Sequence, residues 1–292
     1  MDLEIVKGDV RDASSLDALV GGAEAVVHAA GKTSARNEAE YLTSNAGGTA
    51  NVAAATRRHA KDAHVVLVSS LAAAGPSVDG IPVKATDPAR PVSSYGRSKL
   101  AGEEEIRRAS GISYTILRPC AIYGPRETAI RDLFVAASKG VVPVLAGGTP
   151  RIQLVYAPDV GASVIGALRR GGWGETFFVA HPEILTYGTI AGTLAGLPSR
   201  KPFLVPVPGA LIRLAGLVVG AVSSLGKGPP VFNAEKAAEM LQPAWLCDGS
   251  DTQAALGEPI KTDFRSGARR TWDWYRENGW IRSDNMEGRK RS

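Results

Sequence analysis

Only two cysteines, Cys120 and Cys247, stand in the 292 residues, far apart and without the close spacing of metal ligands. That excludes a disulfide-framed secreted scaffold and points to reduced thiols in a reducing compartment, the cytoplasm. No signal peptide is read, because Met1 leads directly into Asp2-Leu3-Glu4. No apolar run reaches the roughly 20 residues that cross a bilayer; the longest, around 210–225, holds about 16 with Arg213 inside it. Internal repeats, metal-ligand clusters and nucleic-acid motifs are missing as well. The net charge is only +5, and part of it lies in Arg289, Lys290 and Arg291. Residues 283–292 therefore read as a disordered, solvated basic tail rather than a nucleic-acid patch.

What is present describes an ordinary globular chain, 44% apolar and 22% charged, long enough for a larger domain and a smaller lobe. Its informative stretch runs from Val65 to Pro125. Val65 to Val68 is an apolar, β-branched run that reads as a buried strand delivering Ser69 and Ser70 at its C-terminal end. Ser94-Tyr95-Gly96-Arg97-Ser98-Lys99 then heads a helical pattern, with Ser93 or Ser94 as its cap. Tyr95 and Lys99 are four apart, which places phenol and ammonium one turn apart on one helix face. A second apolar strand, Tyr114 to Leu117, breaks at Arg118-Pro119 and leads to Tyr123-Gly124-Pro125. A phenol titrates near pH ~10 and serves in acid–base chemistry near neutrality only when its charged form is stabilised. Lys99 is spaced for that task, and Ser70 for bonding the oxygen whose proton Tyr95 gives or takes.

Ser70 with Gly75 five residues on, the Tyr95-Gly96-Arg97-Ser98-Lys99 pentad and Leu117-Arg118-Pro119-Cys120-Ala121-Ile122-Tyr123-Gly124-Pro125 together resemble the extended short-chain dehydrogenase/reductase superfamily, its NAD-dependent epimerase/dehydratase group. The resemblance implies an α/β fold: a Rossmann-type doubly wound parallel sheet with a smaller C-terminal α+β substrate lobe. It assigns residues 1–125 and 150–180 to the NAD(P)-binding part, and 126–149 and 181–282 to the lobe. It implies Ser70, Tyr95 and Lys99 as catalytic residues and NAD or NADP as cofactor. Asp9, Val10, Ala29, Ala30, Gly31, Asn45, Tyr95, Lys99, Pro119 and Ile122 would border that cofactor, and no metal is expected.

The chain departs from the family pattern at its start. The Gly-x-Gly-x-x-Gly-like turn that holds a pyrophosphate in such domains has no counterpart here. Leu3 to Asp12 resembles the third family strand and the loop after it, so the first two strands are expected to be missing. A start codon placed at an internal Met, or a truncated gene, would explain this, with cofactor affinity badly impaired. The next strand, Ala25 to His28, would then carry an exposed edge.

Elsewhere, His28 alternates within a buried strand and reads as structural. Glu38 to Ala60 is a long helix containing Asn45, and Ile130 to Ser138, Val160 to Arg169, Tyr187 to Leu197 and Asn233 to Leu241 are further helices. Asp159 is expected to cap its helix, and Glu103 to Glu105 with Arg107 and Arg108 to form a solvated face. The apolar segment 210–225 reads as an interfacial helix touching a membrane peripherally, as a wall for an apolar substrate, or as a core or homodimer contact. Ala121 stands where sugar-nucleotide enzymes of this group usually carry Asn. The shape around it is more similar to the branch of 3β-hydroxysteroid dehydrogenases and dihydroflavonol reductases. The expected activity is interconversion of a carbonyl and a secondary alcohol on an apolar substrate. The alternatives are a sugar-nucleotide epimerase or dehydratase, and a non-catalytic relative.

Overall fold

The computed structural model describes residues 3–172, 174–223, 228 and 232–281; the basic tail expected over 283–292 lies outside them. Four parallel strands form the largest sheet, in the order Ala25–His28, His64–Val68, Ser113–Pro119, Glu175–Val179. Alternate residues of each inner strand feed opposite faces. Val66 and Leu117 enter one core with Phe178 and Val160, while Val65, Leu67 and Ile116 enter another with Ile106 and Ala53. Because both faces are covered by helices, consecutive residues such as Val65 to Leu67 and Ile116 to Leu117 are apolar, the doubly wound pattern expected of a parallel sheet.

A third core is built from rings. Tyr123, Phe134, Tyr156, Trp272 and Tyr275 pack between the closing helix Phe264–Glu277, helix Arg131–Ser138 and the short parallel pair Ala121–Tyr123 and Leu154–Tyr156. Val141–Leu145, a stretch the sequence suggests is a loop, pairs in parallel with Phe203–Val207. Its neighbour lies some sixty residues downstream, so no local signal announces the pairing.

Three further expectations are corrected. Leu3 to Gly8 forms no strand; Leu3 and Ile5 are 82% and 92% exposed, because no neighbouring strand is there to receive their backbone bonds. Ala25–His28 is accordingly an edge of the sheet, with Val27 exposed. Asp159 does not cap helix Ala157–Arg170; its Oδ2 accepts the Thr262 N–H at 3.0 Å and pins the approach to the closing helix. Glu103 is not on a solvated face but fully buried, as described below.

Candidate active site

Strand His64–Val68 ends at Ser69 and Ser70, and Ser70 caps a four-residue helix, Leu71–Ala74, by accepting the Ala72 N–H at 3.1 Å. Gly75 closes that turn at φ +97°, where an added Cβ would fall 2.2 Å from the Arg90 carbonyl oxygen. Helix Ser94–Arg108 begins at Ser93, whose hydroxyl accepts the Gly96 N–H. At Gly96 the helix touches the preceding turn so closely that a Cβ would sit 2.4 Å from the Ala72 carbonyl oxygen. This contact brings the head of the helix against the strand end and sets Tyr95 beside Ser70, whose hydroxyl favours ionisation of the phenol.

Burial pushes the Tyr95 phenol up to about 12, partly countered by the Ser70 hydroxyl and reinforced by the charge of Glu239. Lys99 is brought to the same place but bonds elsewhere: its Nζ donates to the Val68 carbonyl at 2.7 Å. Burial lowers the Lys99 ammonium to about 8, and Glu103 pulls the other way. In this structure the phenol is thus eased by the serine rather than by the lysine, the partner its spacing suggests.

Two polar assemblies fix the geometry. Asn45 lies in a π-helical turn, Thr43–Gly47, inside the otherwise continuous helix over residues 38–59. Its Oδ1 accepts the Lys32 N–H at 2.7 Å, and its Nδ2 donates to the Lys32 carbonyl and to Ser98 Oγ. One amide therefore clamps the loop after Ala25–His28 to the tyrosine helix. Beneath it, buried Glu103 accepts from Arg118 Nε at 2.9 Å and Nη2 at 2.7 Å, and from Ser69 Oγ at 2.6 Å. Burial raises the Glu103 carboxyl, but the bonds from Arg118 and Ser69 hold it below its ordinary value. The Arg-Pro strand end thus anchors the helix that carries Tyr95 and Lys99.

The residues expected around a nicotinamide cofactor divide into two groups. Ala29, Ala30 and Gly31 are exposed at the end of Ala25–His28, and a Cβ on Gly31 would meet Asn45 Oδ1 at 2.7 Å and Lys99 Nζ at 4.0 Å. Such a bare, small-residue edge beside an ammonium fits the nicotinamide and its ribose; Pro119 ends the strand two places along the sheet, and Ile122 lies in the short strand that follows. The second group is less open. The Asp9 carboxylate is engaged by Arg11, and Val10 packs against Gly48. His28 is buried, bonds Thr49 Oγ1 at 3.1 Å and is lowered by burial to about 4, which suits a structural role.

Residues that sequence reasoning passed over come from the distant helix Ala234–Met240. Glu235 accepts from Ser94 N–H at 3.0 Å and Ser94 Oγ at 2.8 Å, and Glu239 accepts from the Ser93 hydroxyl. Tyr41 stands by Tyr95, ring centroids 6.0 Å apart. No local signal marks the two glutamates, which act about 140 residues from their partners.

The family model described as NAD dependent epimerase/dehydratase family matches residues 1–180. A protein named ceramide reductase from Caulobacter vibrioides is 35% identical over 96% of this chain and 83% of its own. A dTDP-glucose 4,6-dehydratase from Mycolicibacterium smegmatis is 29% identical over 96% of this chain and 80% of its own. Among solved structures, a dTDP-glucose 4,6-dehydratase from Streptomyces venezuelae with NAD bound has a TM-score of 0.73 at 24% identity, covering 94% of this chain and 80% of that one.

Proposed function

Because the chain belongs to the NAD dependent epimerase/dehydratase family, we propose that it is an NAD(P)-dependent oxidoreductase of the short-chain type, reducing the ketone of an apolar, lipid-, sterol- or flavonoid-like substrate to a secondary alcohol. The observation that carries the reading is the close approach of the helix head bearing Tyr95 to the strand end bearing Ser70, at the Gly96–Ala72 contact, with Lys99 one turn further along the same helix.

When bound, the reduced nicotinamide supplies the hydride. Tyr95 supplies the proton to the nascent alkoxide: raised to about 12, its phenol is fully protonated at neutral pH and is matched to reduction rather than oxidation. Ser70 hydrogen-bonds the oxygen on which charge develops, a preorganised contribution typically of a few kcal/mol. Lys99 is still protonated at neutrality and would hold the nicotinamide ribose. Asn45 keeps the loop after Ala25–His28 in register with the helix.

Three features support an apolar substrate. The ceramide reductase relative aligns over nearly the whole chain. Ala121 is exposed where sugar-nucleotide enzymes of the resembling group carry Asn. Leu71-Ala72-Ala73 provides no acidic pair after Ser70 for a dehydratase.

The test is oxidation of NADH and NADPH, at millimolar concentration, with a detergent-dispersed long-chain ketone. In parallel, with NAD, any product from dTDP-glucose or UDP-glucose is detected by chromatography, because their epimerisation or dehydration consumes no net cofactor. Turnover of the ketone alone is expected. Turnover of a nucleotide sugar, or of nothing, would overturn the proposal.

A further inference from the structure

Helix Gly209–Ser223 is apolar on both sides. Its inner side is used: Ile212 is buried, and at Gly216 a Cβ would fall 2.7 Å from Ala237 Cβ, so the helix lies tightly on Ala234–Met240. Its outer side bears Leu211, Leu214, Leu217, Val218 and Val222, all exposed, Leu217 at 61% and Val222 at 64%. Strand Phe203–Val207 runs into it and continues the apolar surface with Phe203 at 78% exposure. Leaving such a face in water costs free energy at every one of these side chains.

Charge identifies what covers it. Between Ile184 and Ala234 the sequence contains no Asp or Glu, while Arg200, Lys201, Arg213 and Lys227 are all basic. Arg200 and Lys201 are exposed just before Phe203, and Arg213 is exposed within the helix itself. An apolar face whose own stretch of chain carries cations and no carboxylate complements the headgroup and acyl boundary of an anionic bilayer. The helix has 15 residues, and among the described residues none is long and apolar enough to cross a membrane. It fits a helix lying in the interface plane.

We infer that this face, formed by Gly209–Ser223 and the adjoining strand Phe203–Val207, docks the protein peripherally on an anionic lipid surface. Its position gives the docking a purpose. The helix rests on Ala234–Met240, whose Glu235 and Glu239 hold Ser94 and Ser93 at the head of the helix bearing Tyr95. A lipid ketone leaving the bilayer would therefore arrive beside the proposed proton donor. That purpose rests on the reductase reading above, whereas the docking itself rests on the surface.

Binding and turnover are for that reason measured apart. The full chain is sedimented with vesicles of phosphatidylcholine alone and with vesicles in which about a third of the lipid is phosphatidylglycerol. Binding to the anionic vesicles is expected to be about tenfold stronger or more. The pair Leu214→Glu with Leu217→Glu should abolish it, and Arg213→Glu should weaken it, with unchanged thermal melting in each case. Light scattering on the same samples should show that neither change alters the oligomeric state. Failure of the wild-type chain to sediment with anionic vesicles would overturn the inference. So would a dimer that the leucine substitutions split, since a second copy would then cover the face. Reduction of a short, water-soluble ketone tests the chemistry separately: if it persists without vesicle binding, only the docking is lost.

Discussion

A Cβ added to Gly96 would stand 2.4 Å from the carbonyl oxygen of Ala72, closer than any side chain tolerates. This contact sets how near the tyrosine helix comes to the serine strand end, and hence how close Tyr95 stands to Ser70. Gly96→Ala must push the helix head outward against buried backbone. We expect a loss of about 1–3 kcal/mol in stability, the usual cost of overpacking, and a larger proportional loss in kcat than in KM. Melting and steady-state kinetics on one preparation would check both; unchanged kcat would show that the contact does not position Tyr95.

Tyr95→Phe removes the proton donor but keeps the ring beside Tyr41. A fall in kcat of about 10²- to 10⁴-fold is expected, the range for a general acid, with little change in melting temperature. Undiminished ketone reduction by this variant would refute the proposed mechanism outright.

Lys99 makes the reaction sensitive to alkali. Burial lowers its ammonium to about 8, so the charge is present at neutrality and is lost as pH rises through that value. Reduction rates should fall above about pH 8, well before the Tyr95 phenol ionises near 12. Lys99→Arg, whose side chain stays charged, should move the decline to higher pH. A pH profile with the same falling limb in both proteins would assign that limb to another group.

Stability should respond to acid through His28. Burial and the charge of Lys99 lower its imidazole from 6.5 to about 4. The unfolded chain therefore binds the proton first as pH falls, and between about 6.5 and 4 each step toward acid favours unfolding. The full effect is roughly 3 kcal/mol at 1.36 kcal/mol per unit. Denaturant melts of wild type and His28→Gln across this range would show it as a shallower pH slope in the variant.

Removing one partner of the Glu103–Arg118 pair strands the other in the core. Glu103→Gln should cost about 3–5 kcal/mol, as for a buried charge left unpaired. Replacing both, Glu103→Leu with Arg118→Met, should recover most of that loss. A double variant no more stable than the single one would mean that Ser69 and the strand end depend on the carboxylate itself.

Much of the site is legible in the sequence because its signals are local. Ser70 follows an apolar strand, Tyr95 and Lys99 share a helix face, and Asn45 lies in a small-residue helix, all within windows where period and capping govern. What the sequence misleads about depends on distant partners. Glu103 has the look of a surface residue among Glu104, Glu105 and Arg107 until Arg118, on the next strand, is brought over it. Asp159 has the look of a cap until Thr262 arrives to use it. Leu3 to Gly8 has the composition of a strand, yet a strand needs a neighbour to accept its backbone bonds.

By itself, then, the sequence determined the parallel α/β sheet, the serine after its apolar strand, the tyrosine and lysine on one helix face, and the apolar stretch around 210–225. Only the tertiary structure decided that Lys99 bonds the Val68 carbonyl, that Glu235 and Glu239 reach the head of the tyrosine helix, and that the apolar stretch keeps one face in the open. The physical reason is that strand and helix periods follow from neighbouring residues, whereas hydrogen-bond partners, burial and the ionisation they govern depend on groups that packing alone brings together.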